Sequence, residues 1–292
     1  MRYFDLHCDT MTECYLTGQH IEENTLQVDR KRGNLFEKYV QCYAVWMPDQ
    51  LRCPEAFQRF CAVADRFSQE IGGNSDGVLT VENATALGGR LENVAEFARR
   101  GVKLCSLTWN GDNELGRGVR APGNTGITPF GRQVVEELER NGIVVDVSHA
   151  SPELFYDVLS LAKGPVVATH SNAKSVCGHA RNLSDEQFSA IRQTGGLVGL
   201  NLYRGFLNDD PSKACLEDLL RHAERFLALG GEDVLAFGAD WDGGAPEDFV
   251  AAGLETMPEI YEMFLKHNYQ ETLIDKIFYK NAKSFFKKQN LL

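Results

Sequence analysis

Five side chains of metal-binding type stand at the ends of apolar, strand-like runs. They are His7 and Asp9 in Phe4-Asp5-Leu6-His7-Cys8-Asp9, Glu82 after Val78-Leu79-Thr80-Val81, His149 after Ile143-Val144-Val145-Asp146-Val147-Ser148, and His170 after Val166-Val167-Ala168-Thr169. Side chains alternate faces along a strand, so His7 and Asp9, two apart, point the same way and can grip one cation together. A carboxylate such as Glu82 can offer one oxygen to each of two cations, and His149 and His170 then complete a second site. The chemistry this predicts is hydrolysis at a binuclear metal centre.

Such residues must be carried to one place by the elements beneath them. Short β-branched runs bounded by glycine, asparagine or proline predict eight strands, at about 3–9, 40–47, 78–82, 102–108, 143–148, 166–170, 196–202 and 234–239. Helical patterns follow most of them, with start signals at Ser151-Pro152, the capping box Ser184-x-x-Gln187 and a second box at Thr256-x-x-Glu259. Strands apolar throughout and alternating with helices indicate a parallel sheet covered by helices. An open doubly wound sheet would carry a glycine-rich phosphate loop after its first strand, where this chain has His7-Cys8-Asp9-Thr10. Every candidate ligand falls at the carboxyl end of its strand, the face where (β/α)8 TIM barrels keep their chemistry. The expectation is therefore one barrel domain over residues 1–292, with Gly111–Gly126 as a long loop over the fourth strand.

Composition agrees with a globular protein: 43% hydrophobic and 24% charged residues in 292. A net charge of -11 disfavours phosphate backbones and anionic lipid, so neither nucleic acid nor membrane is an expected partner. No stretch approaches the roughly 18 apolar residues that span a bilayer, and the opening residues lack a secretory pattern, so a cytoplasmic location is expected. The eight cysteines include no C-x-x-C pair and are expected to be reduced thiols.

Taken singly, each ligand has a duller explanation. His7 and Asp9 could cap a turn or the next helix, and Glu82 could be solvated. Four strands each ending in a ligand type, in a chain with seven histidines, favour the metal reading. His20, His222 and His267 read as surface histidines, while His179, two before Arg181, could face the pocket. Asp240, closing the eighth strand, is expected to be the proton carrier of the hydrolysis, and Asp242 beside Gly243 and Gly244 a turn residue. Arg181 suits two-pronged binding of a carboxylate, such as the free C-terminus of a small peptide.

These motifs resemble the membrane dipeptidase (renal dipeptidase) family of zinc peptidases, a branch of the amidohydrolase-like barrels. The likeness runs through Asp5-Leu6-His7-Cys8-Asp9, Leu107-Thr108-Trp109-Asn110-Gly111-Asp112-Asn113, Asp146-Val147-Ser148-His149, Thr169-His170-Ser171-Asn172-Ala173, Arg181-Asn182-Leu183-Ser184 and Gly238-Ala239-Asp240-Trp241-Asp242-Gly243. It implies two divalent ions, in the first instance Zn2+, one held by His7, Asp9 and Glu82 and the other by Glu82, His149 and His170. Arg181 would bind the carboxylate of a dipeptide, and Asp240 would handle the proton of a water shared by the two ions. The resemblance also allows a homodimer. One departure is Trp109, where many members carry a histidine; tryptophan can donate one N–H bond and stack against substrate but cannot carry a proton. Phe206 similarly stands where animal members have tyrosine. An N-acyl amino acid deacylase, a lactam or lactone hydrolase, and a non-catalytic metal- or peptide-binding barrel are the competing functions.

Overall fold

A computed structural model describes residues 1–73 and 76–292. Seven strands form one sheet: β1 (Arg2–Cys8), β2 (Lys38–Trp46), β3 (Gly77–Glu82), β4 (Leu104–Ser106), β5 (Val144–Asp146), β6 (Val198–Leu200) and β7 (Leu235–Phe237), in the order β5-β4-β3-β2-β1-β7-β6. All neighbours are parallel. The remaining predicted strand, 166–170, closes the ring through two parallel bridges, Val167 to Asp146 of β5 and Ala168 to Val198 of β6. The Val167 amide donates to Val145 O and the Ala168 amide to Leu197 O. The result is the expected (β/α)8 barrel.

Glycines let this segment in. A Cβ at Gly238 would lie 1.6 Å from Thr169 O and one at Gly199 1.9 Å from it, so only glycine permits the approach that sets His170 at the barrel mouth.

The helices form where caps and apolar spacing coincide. In Pro129–Arg140 the Thr128 side chain accepts from the Gly131 amide, proline takes the first turn, and Gly131, Val134, Val135 and Leu138 bury one stripe. Ser151 caps Pro152–Leu161, and Ser184 with Gln187 forms the predicted box on Asp185–Thr194. The predicted box at Thr256 does not form. A 3-10 turn over Leu254–Thr256 leads into Met257–Lys266, leaving Thr256 in helical conformation (φ -82, ψ -16) and without a capping bond, which needs an extended backbone.

Two cores result. One lies between strands and helices; the other fills the barrel with Phe4, Leu6, Val40, Cys42, Val78, Leu104, Val144, Val167, Leu197 and Ala236. The C-terminal helix Asn281–Lys288 and the turn before it floor this interior with Tyr279, Phe285 and Phe286. Phe286 is fully buried, its ring 4.9 Å from that of Phe4. Phe286→Ala is expected to cost about 3–5 kcal/mol, read as a lower urea midpoint at constant slope.

Among the described residues no helix is long and apolar enough to cross a membrane.

Candidate metal centre

The carboxyl end of the barrel opens into a cleft of about 590 Å3 whose lining includes Asp9, Glu82, Trp109, His149, Arg181 and Asp240. A bulge delivers the first ligand. Asp5 pairs with Gln41 but Cys8 with Tyr43, so β1 spends three steps on two of β2. Phe4 and Leu6 belong to the barrel interior and Cys8 to the outer core, so the extra residue re-aims the chain and turns His7 to the mouth. Asp5 pins the distortion: its carboxylate accepts from the His7 amide (2.9 Å), the Ala239 amide and the Tyr3 hydroxyl.

Asp9 occupies the N-cap position of helix Thr10–Thr17 yet makes no capping bond. Its Oδ1 is buried without a partner, as is His7 Nε2. The capping explanation therefore does not account for Asp9. Around His7 Nε2 stand Glu82 Oε2 at 3.4 Å, Asp9 Oδ2 at 3.7 Å and Asp240 Oδ1 at 3.7 Å. The other Glu82 oxygen, Oε1, faces His149 Nε2 at 2.6 Å and His170 Nε2 at 3.8 Å. Glu82 thus divides its two oxygens between two groups of nitrogens.

The Nδ1 contacts of His149 and His170 suit the tautomer that presents Nε2 to a cation. His170 Nδ1 lies 2.8 Å from Thr169 Oγ1, whose own proton goes to Asp146 Oδ2 at 2.6 Å, so the imidazole must donate. His149 Nδ1 faces Asn110 Oδ1 at 3.3 Å. The two Nε2 atoms are then lone pairs 3.0 Å apart, close to the spacing of about 3.0–3.3 Å set by two metal–nitrogen bonds on one ion. Arg181 Nη2, 3.0 Å from His149 Nε2, points at the same lone pair.

The electrostatics suit added positive charge. Burial would lower His7, but Glu82 and Asp9 outweigh it and raise the imidazole well above its usual range. Burial, then the Glu82 charge, raises the Asp9 carboxyl. Burial opposes ionisation of Glu82, yet His149 and His7 hold it below the usual carboxylate range. His149 is pushed down to about 4 by burial and by Arg181. Gly243 keeps space beside the acids: a Cβ there would meet Asp240 Oδ1 at 2.6 Å and Asp9 Oδ2 at 3.0 Å. The orphaned atoms and the all-nitrogen and oxygen donor set fit divalent cations.

Asp240 and Arg181 flank these groups. Asp240 lies in the left-handed region (φ 68), its Oδ2 accepting from Asn201 Nδ2 at 2.9 Å, and burial raises its carboxyl to about 6. Asp242 behaves as the expected turn residue, with φ 64 and its carboxylate bonded to the Gln27 amide and the Thr10 hydroxyl. Arg181 is 3% exposed, its guanidinium bonded to Ser148 O and 5.4 Å over the Phe206 ring, with Nε unpartnered. Among the described residues no carboxylate forms an ion pair with it, so a buried cation faces the cleft without its anion. Trp109 is half-buried against Trp46 at the rim, 6.3 Å from the His149 ring.

The remaining histidines divide. His20 and His267 are exposed as expected, and His179 is half-buried against Phe206, its Nδ1 accepting from the Arg181 amide. His222 is not a surface residue: it is fully buried, accepts from the Ala173 amide and meets Leu207 O, and burial pushes it down to about 4. Its neighbours Leu219, Ala223 and Phe226 share the buried face, a phase legible in the sequence. The Asp146–Thr169–His170 chain was also missed, although Asp146 lies three residues before His149 in a motif. Thr169→Val should weaken metal affinity about 10–100-fold in a chelator competition, with Thr169→Ser restoring it.

A parallel barrel with such a cluster at its carboxyl mouth defines a metallohydrolase of the amidohydrolase-like class. The chain belongs to the membrane dipeptidase family (peptidase family M19), whose family model matches residues 63–291. An uncharacterized Klebsiella pneumoniae protein from the pqqA 5' region is 33% identical over 215 residues, 70% of this chain and 78% of that protein. An uncharacterized dipeptidase of Schizosaccharomyces pombe is 30% identical over 194 residues, 65% of this chain but 46% of the yeast protein, so the chain spans under half of that relative. Among solved structures, the metallopeptidase dipeptidase AC of family M19 superposes with a TM-score of 0.89 at 27% identity, covering 99% of this chain and 98% of that one. A Rhodobacter sphaeroides metallopeptidase liganded with a phosphinate mimic of L-Ala-D-Ala follows at 0.86 and 26% identity, with 99% of both chains covered. His7 and Asp9 precede the matched stretch of the family model, but both structural neighbours extend over nearly the whole chain.

Proposed function

We propose that this protein hydrolyses dipeptides bearing a free C-terminal carboxylate and uses two divalent cations, most readily zinc. His7, Asp9 and Glu82 would hold one ion, and Glu82, His149 and His170 the other. Bound there, the ions would supply Lewis acidity, making water a stronger acid and the peptide carbonyl a better electrophile. Arg181 pairs with the substrate carboxylate and thereby fixes the scissile bond one residue away. Asp240, oriented by Asn201, takes a proton from the attacking water and delivers it to the departing amine. Trp109 forms an apolar wall for the substrate.

The observation that carries this reading is the buried, anion-free guanidinium of Arg181 beside the ligand cluster. The phosphinate dipeptide mimic in the Rhodobacter sphaeroides neighbour supports a substrate of that size. The test compares Ala-Ala with its C-terminal amide on metal-loaded protein. The amide should react at least about a hundredfold more slowly, since a buried charge loses its partner. Arg181→Ala should raise KM for Ala-Ala and erase the difference. Equal rates on the wild type would remove Arg181 from this role.

A further inference from the structure

Five carboxylates line the cleft, yet four are committed: Asp9, Glu82 and Asp240 to the ligand cluster, and Asp242 to Thr10 and Gln27. The lining also holds two arginines, Arg181 and Arg120. Arg181 is accounted for by the dipeptide's own carboxylate. Arg120 is not.

Arg120 stands on a firmly built stretch of the Gly111–Gly126 loop. Its amide donates to Asn110 O at 3.0 Å, and the adjacent Val119 amide to His149 O at 2.9 Å, so its backbone is fastened beside a candidate ligand. Gly118 pairs with Ala150 and leaves no room for a Cβ, which would lie 2.4 Å from both Trp109 O and Gly111 O. The buried Arg117 ties the loop from inside, bonding Thr125 O at 2.9 Å, Ala121 O at 3.0 Å and the Glu153 carboxylate. Such anchoring fixes the backbone from which the exposed Arg120 side chain lines the cleft. Among the described residues that side chain has neither an ion-pair partner nor a hydrogen bond. The adjacent Val119 amide on His149 O and Arg181 Nη2, 3.0 Å from His149 Nε2, put both arginines on the His149 side of the cleft they line.

The dipeptidase reading assigns that side to the C-terminal residue of the substrate. Resting on it, we infer that Arg120 selects dipeptides whose C-terminal residue has an acidic side chain, aspartyl or glutamyl. Arg181 holds the α-carboxylate while the guanidinium of Arg120 reaches the side-chain carboxylate. Trp109, Tyr203 and Phe206 line the same cleft and give the substrate an apolar wall beside the pair.

The experiment measures kcat/KM of the metal-loaded full chain on Ala-Glu, Ala-Gln and Ala-Lys, with both configurations of the second residue. Glutamine matches glutamate in shape, so the acid-to-amide ratio isolates charge. Wild type should favour Ala-Glu over Ala-Gln by about two- to fivefold, a difference residing in KM, as expected for an ion pair at an exposed arginine. Arg120→Gln should bring that ratio to about one, and Arg120→Glu should turn the preference toward Ala-Lys. A wild-type ratio near one, or a ratio that Arg120→Gln leaves intact, overturns the inference while dipeptide cleavage itself stands. Cleavage of none of these dipeptides, nor of Ala-Ala, would overturn the dipeptidase reading and the inference together.

Discussion

Asparagine in place of Asp240 should lower kcat by about 10²–10⁴-fold with KM little changed and both cations retained. The substitution keeps shape and the Asn201 contact but removes the group that can take a proton at the site. Asp240 is suited to that transfer: its Oδ2 is fixed by Asn201, leaving Oδ1 directed at the ligand cluster. Because Oδ1 is as near to His7 Nε2 as Asp9 is, the ligand groups His7–Asp9–Asp240 and His7–Glu82–His170 are both compact enough for one ion. Metal content therefore has to be measured alongside turnover. Loss of an ion from Asp240→Asn would make Asp240 a ligand rather than a proton carrier.

Glu82→Gln should have the larger effect on metal. Among the described residues, Glu82 alone directs one oxygen toward His7 and the other toward His149 and His170. An amide keeps one oxygen, exchanges the other for a donor and loses the charge. Affinity at both sites should fall by more than about 100-fold, beyond the cost of losing a supporting hydrogen bond. Activity should fall with it, and excess metal should restore it only in part. Full metal content in this variant would show that Glu82 does not bridge.

The barrel was legible because its strands are short runs of Val, Ile, Leu and Ala with turn residues between them. Even Val166–His170, which makes bridges rather than a regular strand, announced itself that way. The ligand types were legible from their place at strand ends. The means of aiming them was not. The β1 bulge exists only relative to β2, and a single chain segment carries no record of its partner's register. The Asp146–Thr169–His170 chain likewise joins side chains 23 and one residue apart across neighbouring strands. His222 was misjudged because charged neighbours masked its helical phase, and Thr256 because a preceding 3-10 turn took the backbone that a cap requires. Nothing in the sequence around Arg120 marks it, because only the folded loop brings it to the cleft.

On this reading His7, Asp9, Glu82, His149 and His170 converge to hold a pair of cations. Anomalous scattering from crystals of zinc-loaded protein tests it most directly. Two peaks should flank the Glu82 carboxylate, one on the His7 and Asp9 side and one on the His149 and His170 side. A single peak there, or zinc bound only by other side chains, would contradict it.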